Sequence, residues 1–150
     1  MSLLNYTTSI EAAKTVAEIQ KILVVHKALS ILINYDSEGH IEALSFKVET
    51  PQGQASIRLP VNPDAVLRVL ERQHSNGKVP GHYVNRAQAV RIAWRIVKDW
   101  VESQMAILET EMVQMEQIFL PYILTPKGQT LFEIFESRAM LTEGETVEET

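Results

Sequence analysis

Residues 31–59 read ILINYDSEGHIEALSFKVETPQGQASIRL, and this stretch decides the fold class. Ile31-Leu32-Ile33-Asn34-Tyr35 is too short and too β-branched for a good helix and reads as a strand. Asp36-Ser37-Glu38-Gly39 is a turn, with Gly39 free to take a positive φ. Leu44, Phe46 and Val48 then alternate with Ser45, Lys47 and Glu49, the period of a half-buried strand. After Pro51-Gln52-Gly53 the alternation resumes, Ala55, Ile57 and Leu59 against Ser56 and Arg58. Three short strands joined by tight turns predict a small antiparallel meander.

Outward from the meander the period changes to that of helices. Upstream, Thr8 and Glu11 have capping-box spacing, and Ala12, Val16, Ile19 and Leu23 recur at three- and four-residue steps. An amphipathic helix is expected over about residues 9–27, with Leu3–Thr7 as a short strand before it. Downstream, Pro60 ends the sheet and Asn62-Pro63-Asp64 opens a helix, Asn62 as cap and Pro63 at its first position. Val66, Leu67, Val69 and Leu70 give that helix an apolar face to about Gln73. A loop with Asn76-Gly77 and Pro80-Gly81 follows, to Tyr83.

Asn85 can cap the next helix, with Gln88 three residues on. From Arg86 to about Leu120 there is neither proline nor glycine, and Val90, Trp94, Val97, Val101, Gln104, Leu108, Met112, Met115 and Phe119 keep a 3/4 alternation. The expectation is one long C-terminal amphipathic helix of roughly 50 Å at about 1.5 Å per residue. A rod of that length needs company: a second copy of the chain is the simplest partner, and the alternative is an accessory protein whose long helix docks on a host or phage protein. Val101, Leu108, Met112, Met115 and Phe119 are the expected dimer interface. Pro121 and Pro126-Lys127-Gly128 end the segment, and a short helix starts near Leu131. The reading is α+β: a three-stranded meander packed by helices, a single domain over 1–142, and a disordered acidic tail over 143–150.

Composition narrows the function. The chain has 150 residues and no cysteine, which removes disulfides, zinc–thiolate sites, iron–sulfur clusters and thiol nucleophiles. No secretory signal and no membrane span are visible, so the expected location is the cytoplasm. The net charge of −5 is distributed unevenly. Residues 58–98 hold eight basic and two acidic side chains, while the segments before and after are acidic.

The centre of that basic segment is the candidate site. Arg91, Arg95 and Lys98 fall on one helix face, and Arg86 lies at the helix start, where free amides favour anions. His82 and Lys78 precede it, and Tyr83 and Trp94 are placed to stack on a ring. Guanidinium forks and aromatic faces suit a small phosphorylated ligand. The competing reading is a solvated face, or ion pairs with Glu102 or Glu109 of a neighbouring helix. Nucleic acid is disfavoured by the acidic remainder of the chain.

Familiar catalytic signatures are absent from the sequence: no Gly-x-Ser-x-Gly, no P-loop and no Gly-x-Gly-x-x-Gly. His26, His40, His74 and His82 have no metal-ligand spacing. Glu109, Glu111 and Glu116 read as solvated ion-pair residues rather than paired acid and base. A non-enzymatic protein without metal or cofactor is expected.

The segment from Arg91-Ile92-Ala93-Trp94-Arg95-Ile96-Val97-Lys98-Asp99-Trp100 to Ala106, with Phe119-Leu120-Pro121-Tyr122, Asn5-Tyr6-Thr7-Thr8 and Leu59-Pro60, resembles short proteins carried by phages and integrated elements. That resemblance implies no activity. A looser one is to phage anti-defence sponge proteins that sequester cyclic nucleotide signals, such as inhibitors of Thoeris immunity. It implies ligand-binding arginines on a helix, and Arg91 and Arg95 match that role by spacing.

Overall fold

A computed structural model describes residues 1–138. The acidic tail expected over 143–150 lies outside the described residues. The meander is present: β1 (Ser30–Tyr35), β2 (Ile41–Thr50) and β3 (Gly53–Arg58) form an antiparallel sheet in the order β1-β2-β3. Ile31 sits opposite Phe46, and Phe46 opposite Ile57, so alternate residues of all three strands share the inner face. Leu44, Phe46 and Val48 are buried there. The first turn closes on Asp36, whose carboxylate accepts the Glu38 and His40 amides at 2.9 Å each. Gly39 takes φ +85°, a value that strains residues with a Cβ.

Helix α1 (Ala12–Val25) and helix α3 (Arg86–Glu109) pack on the inner face of the sheet. Val16, Ile19 and Leu23 point inward from α1, as their spacing requires. The expected capping box does not form. Glu11 is the cap residue without a side-chain cap bond, and Thr8 Oγ1 instead accepts the Ile10 amide at 3.2 Å. Leu3–Thr7 is a pair of turns rather than a strand, with Asn5 at φ +66° and its side chain donating to Asp99 at 2.9 Å. Its amides go into turn hydrogen bonds, Tyr6 to the Leu3 carbonyl at 3.2 Å and Thr8 to the Asn5 carbonyl at 3.0 Å.

Helix α2 (Pro63–Ser75) begins as expected: Asn62 Oδ1 accepts the Ala65 amide at 3.1 Å. Asn85 does the same for α3, accepting from Gln88 at 2.8 Å. Leu70, Val79, Ala89 and Ile92 form a second small core between α2 and α3.

The continuous helix from Arg86 to Leu120 is corrected. Helix α3 ends at Glu109 after 24 residues. The Thr110 hydroxyl donates back to the Ile107 carbonyl, and Glu111 takes φ +61°, which no helix continues through. Gln114 and Gln117 form a reciprocal cap that starts α4 (Met115–Phe119). The turn brings Phe119 back into the core, edge-on to Phe46 and Trp100 at 5.6 Å each.

The expected helix interface therefore belongs to the chain's own interior. Val101 and Phe119 are fully buried, Leu108 and Met115 pack against the same cluster, and Met112 alone stands 70% exposed. The apolar stripe is satisfied by the sheet, α1 and α4. Helix α5 (Leu131–Ser137) opens on a capping box from Thr130 and Glu133. Among the described residues no helix is long and apolar enough to cross a membrane.

One contact ties the far ends of α1 and α3. His26 bonds the Ile22 carbonyl through Nδ1 and Glu109 through Nε2, at 2.9 Å each. The carbonyl, then the carboxylate, raises the His26 pKa above its ordinary value of 6.5. Both ring nitrogens donate only in the protonated form. A raised folded pKa contributes stability that is complete below pH 6.5 and is lost as pH climbs through the raised value. The thermal midpoint of the wild type is expected to fall from pH 6 to pH 8 relative to His26→Gln. Glu109 is exposed, so the difference stays under about 1 kcal/mol.

Candidate ligand cleft

A cleft of about 740 Å³ opens between the start of α1, the β1–β2 turn and the start of α3. Its walls include Glu11 and Ala12 from α1, Tyr35, Asp36 and His40 from the turn, and Arg86, Val90 and Arg91 from α3. The sheet, α1 and α3 meet there because the inner-face residues draw both helices onto one surface.

Arg91 is held from behind. Gln88 is buried and bridges two parts of the fold: its Nε2 donates to the carbonyls of Tyr6 and Thr8 at 2.8 and 2.9 Å. Its Oε1 accepts from Arg91 Nε and Nη2 at 3.0 and 2.7 Å. The remaining guanidinium nitrogen, Nη1, faces Glu11 at 3.6 Å, a loose pair with an exposed carboxylate. Arg86 pairs with Asp64 at the outer rim, where both side chains are exposed. Across the cleft Asp36 stays ionised, because the His40 amide, and then the Glu38 amide, hold its carboxyl below the ordinary range.

The other candidates lie elsewhere. Arg95 is bound by Glu18 and Thr15 of α1, and Lys98 by Glu102 of its own helix. Both are ion pairs within one chain, so no neighbouring helix is needed to balance them. Trp94 is buried in the core and cannot stack on a ligand. Its position in the apolar 3/4 pattern was the truer signal. Tyr83 packs edge-on against Tyr6 at 5.3 Å and beside His82 at 4.1 Å, sealing the second core. Tyr83 and His82 are not among the cleft residues.

Sequence reasoning missed Gln88, Tyr35, Asp36 and His40 as site residues. Gln88 was visible only as a cap partner. The turn residues share a cleft with α3 through the packing of the sheet against the helices, which no local pattern records. Among the described residues no group of three or more histidine or acidic side chains is placed to hold a metal ion. Protein-family models, curated proteins and solved structures yield no match to this chain.

Proposed function

We propose that this is a phage or mobile-element accessory protein of the host cytoplasm that binds and sequesters a small phosphorylated ligand without altering it. The observation that carries the reading is Arg91, clamped by Gln88 and turned into the cleft with only Glu11 as a loose partner. A phosphate can displace Glu11 and take a charge-assisted bond from the free side of the fork. The volume falls in the range of small-molecule sites. Tyr35 takes over the stacking role first given to Trp94, and Arg86 adds a second cation at the rim.

Glu11, Asp36 and Glu42 also line the cleft. Such a mixed wall suits a compact ligand that carries hydrogen-bond donors besides its phosphate, as a nucleotide base does. It repels an extended polyanion. A homodimer remains part of the proposal, with its surface moved from the long helix to the sheet.

Calorimetry with ADP-ribose, cyclic mononucleotides and cyclic dinucleotides tests the reading. One of these probes is expected to bind, and Arg91→Glu to weaken it at least about tenfold, equal to about 1.4 kcal/mol. Lys98→Gln is expected to leave the affinity unchanged. Silence across the panel, or equal losses from both substitutions, counts against the cleft. A salt-steep gel shift with single-stranded oligonucleotide favours nucleic acid instead.

A further inference from the structure

The two edges of the sheet are finished differently. Beyond β3 the chain returns: Ile123 bridges Ile57, and the Leu124 amide donates to the Ser56 carbonyl at 2.8 Å. Beyond β1 no strand is paired among the described residues. Natural edges are guarded by charges, prolines or bulges that forbid further pairing. Ser30-Ile31-Leu32-Ile33-Asn34-Tyr35 has no charge and no proline, and its register shift comes only at the last step. Leu29, Leu32 and Tyr35 stand 53%, 60% and 58% exposed along it.

We propose that β1 pairs antiparallel with β1 of a second copy about a two-fold axis at Leu32, joining two sheets into one of six strands. The side chains choose the register. Opposed residues on antiparallel strands share a face, so both cores stay on one side of the sheet only if the axis passes through a residue position. With Leu32 on the axis, Leu32 meets Leu32, Ile31 meets Ile33, Ser30 meets Asn34, and Leu29 meets Tyr35. Apolar faces apolar and polar faces polar. An axis at Ile31 would set Ser30 against Leu32, polar against apolar, at both ends of the pair.

The capped β3 edge stops growth at two copies. Tyr35, at the end of β1, also lines the cleft, so the pairing sets the second copy beside the site; that point rests on the ligand reading, whereas the strand pairing stands without it.

The absence of cysteine makes the test clean, since one introduced thiol reports alone. Opposed Cα atoms in an antiparallel pair lie about 4.5–5.5 Å apart, within reach of a disulfide. Leu32→Cys is expected to cross-link to a dimer on mild oxidation, and Glu71→Cys, exposed on α2, is not. In sedimentation equilibrium the wild type is expected at twice its chain mass of 17.0 kDa. Leu32→Lys is expected to fall to the monomer with its circular dichroism unchanged. A monomeric wild type, a dimer that survives Leu32→Lys, or cross-linking of Leu32→Cys no faster than the control each overturns the proposal. All three readings are made without ligand, so they fail or succeed separately from the cleft.

Discussion

Phe119→Ala is expected to destabilise the protein by about 3–5 kcal/mol, the range for emptying a large aromatic from a packed core. Phe119 is fully buried, and its ring meets Phe46 and Trp100 edge-on. Such pairs add about 0.5–1.5 kcal/mol beyond burial. The loss also removes the anchor that returns the chain after Glu109, so α4 has little left to hold it. Met112→Ala, at an exposed position of the same apolar series, is expected to stay within about 0.5 kcal/mol of wild type. Urea unfolding at constant slope measures both. If Phe119→Ala leaves the midpoint in place and changes the solution mass instead, Phe119 belongs to an interface and α3 continues as a rod.

Gln88→Ala is expected to cost about 1–3 kcal/mol, from half-buried partners left without hydrogen bonds. It strands the Tyr6 and Thr8 carbonyls and frees Arg91. Two consequences separate this from a plain packing loss. Amides around Tyr6 and Thr8 should exchange faster, because Gln88 ties both carbonyls to α3 while the Asn5–Asp99 bond remains. Ligand affinity should drop with Arg91 itself unchanged, because the fork loses its support. Gln88→Glu divides the two effects: its carboxylate still accepts from Arg91 but repels both carbonyls. It should retain more affinity than Gln88→Ala while the N-terminal segment still loosens. Equal affinity in all three proteins would show that Arg91 needs no positioning.

Much of the fold was legible in local pattern. The 31–59 alternation and its two turns specify the meander, since a one-residue slip would turn Leu44, Phe46 and Val48 to solvent. Asn62-Pro63 and Asn85 mark helix starts because a side-chain oxygen must satisfy an early amide there. The end of α3 was not legible. Neither Thr110 nor Glu111 is a proline or glycine that would mark a break, and Phe119 packs against Phe46 and Trp100, which are distant from it in sequence. The same limit applies to the site. Arg91 and Arg86 were found from charge and spacing, but Arg95 and Lys98 share their signature, and only the packing of α1 and the β1–β2 turn on α3 separates the pair that lines the cleft from the pair held by Glu18 and Glu102. Trp94 carried two readings at once, and its place in the apolar stripe outweighed its aromatic chemistry.

Amide chemical-shift mapping during titration with ADP-ribose, cyclic mononucleotides and cyclic dinucleotides tests the cleft most directly. Saturable shifts should gather at Gly39, His40, Ala87 and Arg91 for at least one of them, leaving Lys98 and Glu102 still. Shifts centred on Lys98, or no saturable shift with any of these compounds, would contradict a ligand site built on Arg91.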